Sequence, residues 1–347
     1  MAHLIDQTTG TNAIAYVGET PWHGLGQKLS EGADLETWRR EAQLDWTVET
    51  SPVMYQNGEL REWKERKVLY RSDTGAPLSV MSHGFNVVQP KDVLELYSEI
   101  AKAGGFTLET AGALDGGRRI WALARVSDGA DVVNRDRVRP YILVATSFDG
   151  TMATLAKFTA IRVVCHNTIT AAVGAYDATT GTMRGGEKDD KAPGKAQIAR
   201  VLHSVKWTDE VAKNIRLELG IVHDQFERFL VQSRALADRK MDEKEADSFV
   251  AYLLEPYYDS TKKDGGKKDI RETRGYKRII ELFSGQAKGF EMAGKTRWGM
   301  LNAVTELVDH ERGKAGSTRL ESAWFGTGAA IKERARVILN GEFARVE

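Results

Sequence analysis

Several places in this sequence carry residue types that do covalent chemistry elsewhere. Gly289-Phe-Glu-Met-Ala-Gly294-Lys295-Thr296 has the spacing of a phosphate-binding loop, in which backbone amides cradle phosphates while the lysine and hydroxyl reach the terminal phosphate and Mg²⁺. That mechanism needs a buried strand running into the first glycine. Here Ser284 to Lys288 is polar, the apolar piece before it has helical spacing, and no apolar strand ending in Asp follows, so the segment reads as a loop before a helix. Cys165-His166 sets a nucleophile beside a base, yet strand neighbours point to opposite faces and a dyad is assembled in space, so a small buried cysteine is the reading. His23, next to Trp22 in a glycine turn, reads as part of a packed aromatic turn. The seven histidines never occur as HxxxH or HExxH, and a single cysteine leaves no recognisable zinc set. Asp149 is accounted for by a hairpin turn. The expectation is a protein that is not an enzyme and uses no cofactor and no metal.

Non-covalent chemistry fits better. Arg118 and Arg119 begin one strand, Arg135, Arg137 and Arg139 lead into another, and Lys157 and Arg162 lie on its hairpin partner. If these share a sheet edge they make a basic track for a phosphate backbone, with Trp121, Tyr141 and Phe158 near enough for bases to stack on, at about 1–3 kcal/mol per base. The expected nucleic-acid contacts are therefore Arg118, Arg119, Arg139, Lys157 and Arg162 for phosphates, with Trp121 and Phe158 for bases. Lys262, Lys263, Lys267 and Lys268 alternate with Asp and Gly and read as a solvated loop.

The elements that must position these residues follow from periodicity. Tyr141 to Ser147 and Met152 to Val164 form a hairpin about Asp149-Gly150, and Asn167 or Thr168 caps a short helix, Ile169 to Val173, ending at Gly174. Upstream, Val93, Leu94, Tyr97, Ile100 and Ala101 mark a helix that starts at Pro90 and stops at Gly104-Gly105. Phe106 to Thr110 and Arg118 to Val126 form a second hairpin through Asp115-Gly116-Gly117. Before residue 82 the pattern predicts a helix over Leu35 to Leu44, preceded by Asp34, and strands over Val48 to Tyr55 and Lys67 to Tyr70. From Ala196 to Leu230 apolar residues recur at 3 to 4 spacing, which predicts one long helix covered by a second over Ala246 to Leu254. Further helices are expected over Tyr276 to Phe283, Arg297 to Glu311 and Ala329 to Asn340.

The fold class is α+β: an antiparallel β-meander sheet with helices, a β-α-β-β-β-α core, followed by a mostly helical C-terminal half. The expected divisions are a mixed N-terminal segment packing on the core, 1–82, the sheet core, 83–174, a polar Gly-rich linker, 175–195, and a helical domain, 196–347. A chain of 347 residues with 41% hydrophobic content has ample core for this. Forty-nine Lys and Arg balance forty-nine Asp and Glu, so any nucleic-acid contact must be a local groove. One cysteine rules out internal disulfides, and no leader-like or membrane-length apolar run occurs, so a soluble protein of the host cell cytoplasm is expected.

Pro21-Trp22-His23-Gly24-Leu25-Gly26, Asn86-Val87-Val88-Gln89-Pro90, Ser147-Phe148-Asp149-Gly150-Thr151, Arg162 to Thr168 (RVVCHNT) and Trp298 to Glu306 (WGMLNAVTE) with Asp309-His310 together resemble the phage/plasmid-like protein family known as domain of unknown function 932. The resemblance implies a protein encoded on phages, prophages or plasmids, in a family with no established activity. The element order of the core also resembles that of the phage single-strand annealing proteins Erf and Redβ, which implies a sheet groove for single-stranded DNA and a homo-oligomeric ring or filament. The expected function is thus single-stranded DNA binding and annealing in recombination or replication, with a phage exonuclease or single-strand-binding protein as possible partner. The alternative is a non-enzymatic interaction protein, for example an inhibitor of a host defence complex, that uses its helical half.

Overall fold

The structure is a computed structural model, which describes residues 5–21, 24–162, 167–168, 176–177, 182–183, 198–201, 203, 206, 208, 210, 213, 222–258, 269–312, 322–324 and 326–341. The chain forms two compact units that interleave along the sequence: the first takes residues 1–127, 141–158 and 196–222, the second 128–140, 159–195 and 223–347. The consecutive blocks expected from composition are therefore not the compact units. A strand near residue 15 already pairs inside the sheet, so the N-terminal segment is built into the core.

In the first unit, β1 (Ile14–Val17) and β2 (Gln27–Leu29) pair in parallel, α1 (Leu35–Glu41) follows, and β3 (Val48–Asn57), β4 (Glu59–Arg71) and β5 (Pro77–Ser82) form a separate three-stranded antiparallel sheet. Asp34 caps α1 by accepting from the Thr37 amide at 2.7 Å. Next along the chain come α2 (Pro90–Gly104), β6 (Thr107–Leu114), β7 (Arg119–Arg125), β9 (Arg137–Ser147), β10 (Thr154–Arg162) and β14 (Ile198–Val201), while β8 (Ala130–Asp131), β11 (Asn167–Thr168), β12 (Tyr176–Asp177) and β13 (Thr182–Met183) belong to the second unit. The main sheet runs β11-β10-β9-β7-β6-β1-β2, with β14 also pairing β10 and β8 pairing β9. Pro90 opens α2, Gln89 and Asp92 form a reciprocal capping box, and Gly105 closes the helix with a left-handed φ of 67°. The buried stripe Val93, Leu94, Tyr97 and Ile100 lays α2 on β6 and β7.

The joint between that helix and the sheet is polar and specific. β6 and β7 shift register between Leu108 and Thr110, which makes Glu109 the bulge residue. The Tyr97 hydroxyl, fully inside, accepts from the Glu109 amide at 2.9 Å and donates to the Leu123 carbonyl at 2.7 Å. Burial pushes this phenol well above its ordinary pKa, so it stays a donor.

The expected hairpin is present as β9 and β10, turned by Asp149-Gly150 with Gly150 at φ 73°. Two expectations are corrected. Asn167 and Thr168 pair with Arg162 and Ile161 as β11 and do not cap a helix there; the expected helix from Ile169 to Val173 lies outside the described residues. Ile198 to Val201 is not the start of a long helix but the strand β14, laddered to Thr154–Lys157 of β10. An Ile-x-x-Val spacing suits either state, and the free side of β10 decides for strand.

The second unit holds most of the helices: α3 (Val222–Ala237), α4 (Glu243–Leu254), α5 (Arg274–Glu281), α6 (Phe290–Ala293), α7 (Arg297–Glu306) and α8 (Thr327–Asn340). Single π-turns extend α5 over Leu282–Gln286 and α7 over Leu307–Glu311. Every residue of α7 after Arg297 is buried, and α5, α6 and α8 pack around it. Phe229 of α3 meets Trp298 edge-on at 6.5 Å between centroids, and Trp298 Nε1 donates to the fully buried Asp136 at 2.8 Å.

Replacing Tyr97 by Phe removes one hydroxyl and strands two backbone groups, so stability should fall by about 1–3 kcal/mol. A urea titration reads this as a lower midpoint at an unchanged m-value.

Candidate nucleic-acid interface

The residues expected to form a basic track are placed as follows. Arg118 follows the β6–β7 turn with its side chain 44% exposed, donating to the Leu78 carbonyl at 2.8 Å and pairing with Asp115 at 3.3 Å. Arg119 is buried on β7; its guanidinium pairs with Asp149 at 2.9 Å and reaches the Thr151 hydroxyl at 3.2 Å. Trp121, Lys157 and Phe158 are buried as well, at 6%, 4% and 5% exposure, so none presents a ring or an ammonium to solvent. Arg139 is half-buried and belongs, with Arg162, to the second unit; of the Arg162 side chain nothing is described. Arg137, beside it in sequence, pairs with Asp131 at 3.1 Å.

Arg119, Trp121, Lys157 and Phe158 are therefore not on a solvent-facing trench. The reason lies in the strands that carry them: Arg119 to Ala124 are consecutively buried, and so are Pro140 to Phe148. A strand buried at successive residues is covered on both faces, and a cation on it needs an internal counter-charge instead of a phosphate. Asp149, which reads in the sequence only as a turn residue, is that counter-charge for Arg119.

The residues proposed for covalent chemistry are also accounted for where described. Lys295 pairs with Glu243 at 3.0 Å and the Thr296 hydroxyl caps α7, accepting from the Gly299 amide at 3.0 Å, so the glycine-lysine segment is a helix cap. Cys165, His166, Trp22 and His23 lie outside the described residues. Among the described residues no cluster of three His, Cys, Asp or Glu side chains is placed to hold a metal, and no helix is long and apolar enough to cross a membrane.

What the first unit does expose is an arm. From Met54 to Arg66 every residue is exposed, as β3 and β4 run out past the end of β5 as a two-stranded ribbon. Asn57 and Glu59 face each other across Gly58, whose φ of 74° is left-handed. Behind the tip, Gln56 pairs with Leu60, Tyr55 with Arg61 and Met54 with Glu62. The pairing then puts Tyr55 and Arg61 on one face and Met54, Leu60 and Glu62 on the other, and Trp63 follows where the ladder becomes irregular. Leu60 is 68% exposed, Tyr55 47%, Met54 46% and Trp63 44%, and the Arg66 guanidinium lies 5.4 Å from the Trp63 ring centre. The root is held firmly: Lys67 donates to the Phe85 carbonyl at 2.8 Å, and the Tyr70 hydroxyl donates to Glu49 at 2.8 Å, a bond that raises the phenol's pKa.

Sequence reasoning found the two roots of this ribbon and missed the arm. The signal was there: Asn57-Gly58 is a strong hairpin dipeptide, placed between runs that carry Tyr55 and Trp63. The high charge of Glu59 to Lys67 hid it, because a strand with no covered face has no apolar alternation to read.

The family model described as Domain of unknown function (DUF932) matches residues 77–184 and 191–324. No curated protein and no solved structure matches the chain.

The burial of Arg119 gives a sharp expectation. Arg119→Ala should leave Asp149 without its buried partner and cost about 3–5 kcal/mol of stability, whereas Arg61→Ala on the exposed ribbon should change stability by less than about 0.5 kcal/mol. Chemical denaturation of the two variants distinguishes an internal cation from a surface one.

Proposed function

The chain belongs to the DUF932 family, and we propose that this member binds single-stranded DNA and promotes annealing, as a non-enzymatic accessory of phage or plasmid recombination or replication. One observation carries the reading: the ribbon offers solvent two large rings, Tyr55 and Trp63, among the exposed cations Arg61, Lys64 and Arg66. Rings stack on bases without regard to sequence, and cations between them hold the phosphates that link those bases. A duplex hides its base faces, so the ribbon favours single strands.

In this reading the contact surface is not the sheet interior. Arg119, Lys157, Trp121 and Phe158 hold the core together, and Arg118 is the member of the expected set whose exposed side chain remains available to a phosphate. No bond is made or broken: the protein holds bases unstacked and spread, which lowers the barrier to pairing with a second strand. The chain as a whole is neutral, so binding depends on few phosphate contacts and should lose affinity with salt on a shallow slope.

Fluorescence anisotropy with a labelled oligo-dT at several salt concentrations tests this. Tyr55→Ala and Trp63→Ala should each weaken binding by roughly 5- to 150-fold, the equivalent of about 1–3 kcal/mol per lost stack, and slow the annealing of complementary oligonucleotides. Absence of salt-sensitive binding at micromolar protein, or ribbon variants that bind as the parent does, would overturn the proposal and favour the interaction-protein alternative.

A further inference from the structure

The ribbon has an edge as well as faces. β5 covers β4 only from Arg66 to Tyr70, and among the described residues no strand lies along the outward side of Glu59 to Lys64; at Glu65 the carbonyl accepts from the His83 amide at 2.9 Å. On the inner side β4 sets Trp63 to Arg66 against Val53 alone, so this stretch bows out of the ladder with β3. An open strand edge is a template for another strand.

The side chains along that edge have an order of their own. Counting outward from Trp63, Glu62 is matched by Lys64, Arg61 by Glu65, Leu60 by Arg66 and Glu59 by Lys67. Each charged residue before Trp63 thus has an opposite charge at the same distance after it. In a two-fold antiparallel strand pair the axis stands normal to the sheet and passes through one residue position, so residues equidistant from that position lie opposite each other. An axis at Glu62 would set Glu59 against Glu65, and one at Arg61 would set Leu60 against Glu62 and Glu59 against Trp63. An axis at Trp63 sets Glu62 against Lys64 twice over, short of Glu65, where His83 already lies, and brings the two Trp63 rings together.

We propose that two copies of this chain associate through the β4 edges of their ribbons, antiparallel about Trp63, in a short ladder from Glu62 to Lys64 in each copy. The partner is a second copy because the charge order is self-complementary; a different partner would have no reason to require it. Pairing converts two ribbons, each a marginal structure in water, into one four-stranded sheet and sets the two Trp63 rings side by side on an open face. The inference goes beyond the proposed DNA contact and does not depend on it, since the faces bearing Tyr55 and Leu60 stay open.

Sedimentation velocity of the full chain without nucleic acid tests it. The parent should show a concentration-dependent rise from 38.5 kDa to twice that mass at micromolar protein. Glu62→Lys and Lys64→Glu are exposed substitutions, and each alone puts like charges opposite each other twice, so each should weaken the dimer by about tenfold or more. The double variant E62K/K64E should restore it, and so should an equimolar mixture of the two single variants, since the charges reversed in the two copies then face each other as opposites. The proposal fails if the parent is monomeric throughout this range, if either single variant dimerises as the parent does, or if the mixture stays monomeric. A monomer that still binds oligo-dT assigns the edge to the nucleic acid and also overturns the proposal. A dimer that binds no oligonucleotide leaves the proposal standing and removes only the DNA reading.

Discussion

The first unit depends on one buried cation. Arg71, at the end of β4, is fully inside, and a guanidinium stripped of water is tolerated only when its charge and its hydrogen-bonding protons are answered. Asp73 answers with two oxygens at 2.9 and 2.6 Å, Asp6 with a third contact, and Trp46 lies under the plane at 4.4 Å. Burial works against the charge, and the two carboxylates outweigh it, so Arg71 stays protonated with its pKa raised. Through this side chain the N-terminal segment, the root of the ribbon and the β6–β7 turn are one piece. Gly117 in that turn sits so close that a Cβ would lie 2.9 Å from Trp46 and 3.0 Å from Arg71, which leaves no room for any other residue. A long arm can stand free at its tip because its base is fixed this tightly.

What was legible in the sequence is what is decided locally. The capping box of Gln89 and Asp92 with Pro90, the Asp34 cap, the Asp149-Gly150 turn and the hairpins around them all follow from chemistry within a few residues. What was misread is decided at a distance. Ile198 to Val201 becomes a strand because Thr154 to Lys157 offer an edge more than forty residues upstream, and periodicity cannot report an edge. Arg119 and Lys157 read as surface cations because most strand cations are; their burial is set by neighbouring strands and, for Arg119, by Asp149 and Thr151 across the sheet. Two cations of the expected track, Arg119 and Lys157, thus lie on real strands but face inward.

The same distinction explains the strongest sequence motif of the helical unit. Trp298 to Glu306 is among the pieces that carry the family resemblance, and its polar members have structural tasks. Trp298 Nε1 donates to Asp136, the Asn302 amide donates to the Trp298 carbonyl at 2.9 Å, the Thr305 hydroxyl to the Asn302 carbonyl at 2.9 Å, and Glu306 accepts from the Lys288 amide at 2.9 Å. A Cβ on Gly299 would sit 2.1 Å from the Gly294 carbonyl oxygen, so glycine lets α7 start against that loop. Next to it Lys332 and Asp309 pair at 2.7 Å with both side chains buried, and Arg278 grips Glu311 with two bonds of 2.6 and 2.8 Å. A helix buried on all sides must satisfy its polar groups internally, and this one recruits its partners from α5, α8 and the α5–α6 connection.

Against that background the ribbon stands out among the described residues. Elsewhere exposed apolar side chains such as Val231, Val337 and Tyr252 occur singly; on the arm Leu60, Tyr55, Met54 and Trp63 stand in water together, among charges that alternate in sign. A two-stranded ribbon with no covered face loses backbone entropy and recovers little of it by burial, so its length is a cost to a single chain in isolation. The cost is offset only if something lies against it. The edge and the two faces are separate surfaces of such a structure: strand pairing uses backbone groups in the plane of the sheet, while stacking uses rings that project above and below it. A second copy on the edge and a nucleic-acid strand on a face are therefore compatible, and the first would double the second, setting two sets of rings on one continuous sheet. Annealing needs two strands held close, and a two-fold pair of arms is the simplest arrangement of this chain that presents two equivalent surfaces together.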